Sequence, residues 1–155
     1  QKKNVELVIV GSGPLFDSLN KVSNSLECKN AIKYISWIEQ KNLFKIYESS
    51  SVMLVPSQEG AGAVVAEGMS FGLPIVCFDN FGAGELINDN CGFTIANNLS
   101  YKESCQSMGA YINKLYSGSN LLTKMSKSSI EIFKENLTWD SKGNQLSTIY
   151  NEFLN

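Results

Sequence analysis

Up to Ile95, short runs of β-branched apolar residues alternate with longer segments in which apolar positions recur every three to four residues. The runs VELVIV (5–10), IKYIS (32–36), VMLVP (52–56), PIVCF (74–78) and GFTI (92–95) predict five strands. Near-continuous hydrophobicity in the first, third and fourth predicts strands covered on both faces, the habit of parallel sheets. Between the strands, 15–27 and 41–49 read as amphipathic helices, and 63–71 as a more buried helix ended by Gly72. Beyond Ile95 the strand pattern stops. The segments 101–116, 120–134 and 139–154 then predict three consecutive helices, separated by the turn signals SGSN and ENLT. There is no internal repeat and no low-complexity tract.

Strands alternating with helices give an α/β fold, a Rossmann-like parallel sheet flanked by helices and extended by extra C-terminal helices. In such sheets ligands sit outside the carboxyl ends of the strands. The sharp loops GSGP, SWIEQ, SQEGAG and DNFGAGE all fall at that edge.

Composition narrows the function classes. A chain of 155 residues, 43% hydrophobic, is expected to form a single folded domain over 1–155. Net charge is -2, and all 13 basic residues are lysines, with neither arginine nor histidine present. Without arginine forks or basic clusters, nucleic acid is not an expected partner. Without histidine, neither a triad-type hydrolase nor an ordinary zinc site is expected. Cys28, Cys77, Cys91 and Cys105 show no CxxC spacing and lie in or near apolar segments, which predicts buried free thiols in a reducing, cytoplasmic setting. No apolar run approaches the roughly 18 residues of a membrane span, and the N-terminus carries no signal-peptide pattern.

The GxG of Gly11 and Gly13 follows a strand, but a dinucleotide fingerprint needs a third glycine where Phe16 stands, and no acid closes the next strand. Gly11 and Gly13 therefore read either as a tight strand-to-helix turn or as backbone lying near a phosphate. The stretch EGAGAVVAE, 59–67, carries more. Gly60 and Gly62 let the chain turn sharply, and a helix starting near Ala61 to Ala63 would offer unpaired amides and its dipole to a diphosphate. Glu67 lies about one turn into that helix and leans back towards its start; Glu59 flanks the turn. Two carboxylates beside a diphosphate repel it, so their compatible partners are hydroxyl groups on either side, as in a nucleotide sugar. The plainer reading makes Glu67 a surface glutamate and Glu59 a first-turn acid favoured by the helix dipole. No spacing among Glu59, Glu67, Asp79 and Glu85 fixes a metal geometry, so no metal site is expected.

The segment PSQEGAGAVVAEGMSFGLPIVCFDNFGAGELINDNCGFTI, 56–95, resembles the retaining glycosyltransferases of family 4, whose GT-B architecture places two Rossmann-like domains across a cleft. The upstream VIVGSGP and the closing LTWDSKGNQLSTIYNEF fit the same pattern. The resemblance implies the C-terminal, donor-binding half of such an enzyme. By it, Glu59 is the catalytic-site acid that contacts donor-sugar hydroxyls, and Glu67 holds the ribose. Gly60, Ala61, Gly62, Ala63 and Val64 lie along the diphosphate and sugar. Trp37 and Ile38 fall where these enzymes hold the base; Trp37 also reads as a partly buried core aromatic. The implied donor is a UDP- or GDP-sugar, which is a substrate, so no cofactor is expected. A hexose would pass with retention, without a metal, to a glycan or lipid-linked acceptor.

Two departures are small: Ala61 stands where the family commonly has phenylalanine, and Gly68 where alanine often follows the second acid. A third is larger. The family's diphosphate-neutralising arginine and lysine come from a βα unit before the first strand seen here. The resemblance thus implies an N-terminal acceptor domain and a first βα unit outside this sequence, weak donor binding, no turnover by this part alone, and a full-length enzyme able to associate peripherally with a membrane. A non-catalytic nucleotide-sugar-binding module and a GT-B sugar epimerase are the alternatives.

Overall fold

A computed structural model describes residues 5–57 and 62–154. The chain divides between Ile46 and Tyr47 into two compact units, 1–46 and 47–155.

In the first unit, β1 (Leu7–Val10), α1 (Phe16–Ser25) and β2 (Ile32–Ile35) form one βαβ unit, followed by the start of α2 (Gln40–Ser49). The strands run parallel, with Leu7 opposite Ile32 and Val10 opposite Ile35. Phe16 of α1 packs edge-on to Tyr34 of β2, ring centroids 5.6 Å apart. Leu7 and Val10 are exposed, so the expectation that the first strand is covered on both faces is corrected. A two-stranded sheet has too few neighbours to bury both of its faces.

The second unit carries β3 (Met53–Val55), α3 (Ala63–Ser70), β4 (Ile75–Phe78), β5 (Gly92–Ile95), α4 (Tyr101–Ser117), α5 (Ser119–Asn136) and α6 (Trp139–Leu154). Its three strands are parallel in the order β3-β4-β5, with Met53 beside Ile75 and Ile75 beside Gly92. The central strand is covered on both faces, as its apolar run requires: Ile75, Val76 and Cys77 are fully buried. Val76 and Ile95 meet Leu115 of α4 and Met125 of α5 in the core.

Local chemistry sets the helix ends. Ser100 and Glu103 close a capping box at the start of α4, and those bonds hold the Glu103 carboxyl below its usual range. α3 ends in a pair of bonds from Gly72 N–H to Met69 O (2.9 Å) and from Leu73 N–H to Gly68 O (3.1 Å). Gly68, the departure from the family pattern, has a reason here: a Cβ at that position would run into Met53 Sδ, so the bare helix face lets α3 lie close on the sheet. Ser129 of α5 is fully buried, its hydroxyl between the carbonyls of Leu73 (3.1 Å) and Cys91 (3.3 Å).

All four cysteines are free, but only Cys77 and Cys91 are buried; Cys28 and Cys105 are exposed, which corrects the expectation for those two. Neighbouring apolar residues did not indicate which way either thiol points. Burial raises both core thiols, Cys77 to about 11, with the charges of Asp79 and Cys91 adding to it. Among the described residues, no helix is long and apolar enough to cross a membrane.

Candidate functional site

At the carboxyl edge of the first sheet, the Gly11 N–H donates to Ile35 O at 2.9 Å, and the Phe16 N–H donates to Gly13 O at 3.0 Å. The first continues the β1–β2 ladder and the second closes the tight strand-to-helix turn that the spacing predicts. Gly11 has φ 137°, a conformation reserved for glycine. Neither Gly11 nor Gly13 has an atom within 4 Å of where a Cβ would stand, so the loop presents bare backbone to open space. Beneath it lies a cavity of about 350 Å³ lined by the 9–16 segment, Leu19 and Tyr34. Trp37, just after β2, is 76% exposed, which overturns its reading as a core aromatic. Ile38 beside it is half-buried.

At the carboxyl edge of the second sheet, the chain enters α3 through Gly62, at φ 62° and ψ 10°. Gly62 is buried, and a Cβ there would stand 3.0 Å from Leu86 Cδ1 and 3.1 Å from the carbonyl carbon and oxygen of Gly82. The loop following β4 thus presses against the start of α3. The helix ladder opens with the N–H groups of Val65 (3.0 Å) and Ala66 (3.1 Å), both donating to Gly62 O. The amides of Ala63 and Val64 lie ahead of that ladder, at the positive end of the helix dipole. Ala63 is exposed and Val64 half-buried, so among the described residues the entrance to the helix has little side-chain cover.

Glu67 sits one turn further on and is half-buried. Tyr47, at the end of α2 and only 6% exposed, donates its hydroxyl proton to Glu67 Oε2 at 3.4 Å. The Tyr47 ring packs tilted on Phe71, centroids 5.5 Å apart. Burial, then the Glu67 charge and the hydrogen bond, push the Tyr47 hydroxyl up to about 12. Among the described residues, nothing donates to the other oxygen, Glu67 Oε1.

On the same edge, beyond β4 and β5, a second cavity of about 200 Å³ is lined by Asp79, Asn80, Phe81, Glu85 and Asn97. The side-chain amide of Asn97 donates to the Asp79 carbonyl and ties the two loops together. Among the described residues, no three acidic or cysteine side chains gather as a metal cluster.

The structure therefore brings Gly62, Ala63, Val64 and Glu67 to one end of one helix, and Gly11, Gly13, Trp37 and Ile38 to the strand ends of the other unit. Glu59, Gly60 and Ala61 lie outside the described residues. Sequence reasoning missed Tyr47. It lies 20 residues from Glu67 on a different element, and the only trace was a polar-tipped aromatic on the buried face of an amphipathic helix.

Residues 1–131 match the family described as Glycosyl transferases group 1. Over 74 residues, 47% of this chain, the sequence is 40% identical to an uncharacterised glycosyltransferase of Haemophilus influenzae, of which that stretch is 20%. The chain is similar to the crystal structure of the pneumococcal O-GlcNAc transferase GtfA in complex with UDP and GlcNAc, with 26% identity and a TM-score of 0.79. That match covers 94% of this chain and 29% of GtfA. Anabaena HepE, in complex with UDP-glucose, gives a TM-score of 0.77 at 18% identity, over 96% of this chain and 41% of HepE, and shows the same fold. The chain spans well under half the length of each of these proteins.

Proposed function

The chain belongs to the glycosyl transferases group 1 family, and on that premise we propose that it is the donor-binding half of an enzyme transferring a hexose from a nucleoside diphosphate sugar. The observation that carries the reading is the start of α3. Two amides stand free of the helix ladder beside small side chains, and a carboxylate stands one turn along with an oxygen to spare. In this reading the Ala63 and Val64 amides receive the diphosphate, and Glu67 accepts hydrogen bonds from ribose hydroxyls. Gly11 and Gly13 as backbone near a phosphate, and Trp37 and Ile38 as the base contacts, are assigned from the sequence pattern and the family 4 resemblance alone.

UDP is the favoured nucleotide, because GtfA and HepE carry UDP and UDP-glucose in their crystals; GDP is the competing outcome of the same test. Glu59 is assigned to the donor sugar from the sequence pattern alone. Retention, independence of a metal and a glycan or lipid-linked acceptor held by another part of the enzyme come from the family 4 resemblance, as does work at the cytoplasmic side of a membrane.

The test is titration of UDP, UDP-glucose and GDP into the protein, followed by NMR so that weak binding is still measured. Glu67→Ala removes charge-assisted hydrogen bonds of roughly 1.5–3 kcal/mol each and should weaken UDP on the order of tenfold or more. Binding of UDP analogues lacking both ribose hydroxyls should be unaffected by that change. Unchanged UDP affinity in Glu67→Ala would remove Glu67 from the site.

A further inference from the structure

We propose that Tyr47 is a positioning residue for the nucleotide site, holding the Glu67 carboxylate by one oxygen so that the other faces the ribose hydroxyls. The inference rests on the reading of Glu67 as the ribose contact. A glutamate side chain has three rotatable bonds, and fixing it on a ligand costs up to roughly 2 kcal/mol of rotamer freedom. A carboxylate already held in place loses less on binding.

Tyr47 has the properties of such a holder. Its ring is buried and lodged against Phe71, which closes α3, so the hydroxyl cannot swing with solvent. Its proton remains on the oxygen at any physiological pH, so the group is a permanent donor. The bond goes to Oε2, and among the described residues Oε1 is left without a donor. Two elements therefore meet at the carboxylate, the end of α2 and the body of α3, with Phe71 packed against the tyrosine ring. A surface glutamate without this support would sample many rotamers and contribute less to recognition.

The experiment compares UDP with 2′,3′-dideoxy-UDP in wild type, Tyr47→Phe, Glu67→Ala and the double variant. Tyr47→Phe keeps the ring on Phe71 and deletes only the hydroxyl. It should weaken UDP roughly three- to tenfold, leave the dideoxy analogue within about twofold, and add nothing to Glu67→Ala. The rise in Tm on adding UDP supplies a second reading that does not require a fully stable variant, and it should shrink for UDP only. The inference is overturned if Tyr47→Phe binds UDP as wild type does, if both ligands weaken equally, or if the double variant is weaker than Glu67→Ala alone. If Glu67→Ala itself leaves UDP unchanged, or wild type binds no UDP, the ribose reading fails first and takes this inference with it.

Discussion

Two glycine turns follow strands in this molecule, and they do different work. Gly62 is buried at positive φ against the Gly82 carbonyl, so its lack of a side chain is demanded by packing. Gly13 has neither a positive φ nor a neighbour within 4 Å of its missing Cβ. Glycine is thus compulsory for folding at position 62, whereas position 13 carries no such requirement. A glycine without a packing reason is the stronger pointer to something that approaches from outside.

The contrast can be broken most directly at Gly62. Gly62→Ala puts a Cβ at 3.0–3.1 Å from Leu86 and Gly82 in a left-handed conformation. It should cost about 2 kcal/mol, read as a drop in Tm. A Tm equal to wild type would mean that the turn repacks freely. Gly13→Ala should do the reverse. Thermal stability should stay within about 0.5 kcal/mol or rise slightly, because the unfolded chain loses freedom. UDP affinity should nevertheless fall several-fold if the loop lies near the nucleotide. A Gly13→Ala protein with unaltered UDP binding would return that loop to a purely local turn.

The smallest effect concerns pH. Tyr47 rises from 10.0 to about 12 on folding, so both states hold the proton below 10 and only the folded state holds it between the two values. Stability therefore declines across that window, since the unfolded chain binds fewer protons there. Cys77, raised from 9.0 to about 11, acts with the same sign over a lower window and is common to wild type and Tyr47→Phe. The difference between the two unfolding curves at alkaline pH should isolate Tyr47: the Phe variant should lose stability less steeply above pH 10. Superimposable pH profiles would argue that the hydroxyl is solvated rather than buried against Glu67.

Much of the architecture was readable from the chain. All five strands fall inside the apolar runs, because β-branched segments bounded by turn residues have few other ways to bury themselves. The last helix spans Trp139–Leu154 as its pattern predicts, and Gly72 does close α3. The start of α3 at Ala63 was legible for the same reason, since glycine marks where the backbone must turn. What escaped depended on three-dimensional neighbours. Gly62 against Gly82 and Tyr47 against Glu67 join loops and helices that carry no mark of each other in sequence. Trp37 fitted a core and a surface place equally well, because size and apolarity do not say which side of a loop a ring occupies. Exposure of Cys28 and Cys105 likewise depends on how their elements pack, which the sequence around them does not record.

The Ser129 hydroxyl has one proton and two carbonyls to serve, one just before β4 and one just before β5. At any instant it quenches one and shares its dipole with the other, so α5 works as a latch across the entrance to the sheet. The family match runs to residue 131, just past this latch. Shortening the chain at the end of α4 would therefore strip the Leu73 carbonyl of this donor, leave the Cys91 carbonyl with only its bond from the Ile75 N–H, and bare the sheet face that α5 covers, so the minimal folding unit has to include α5.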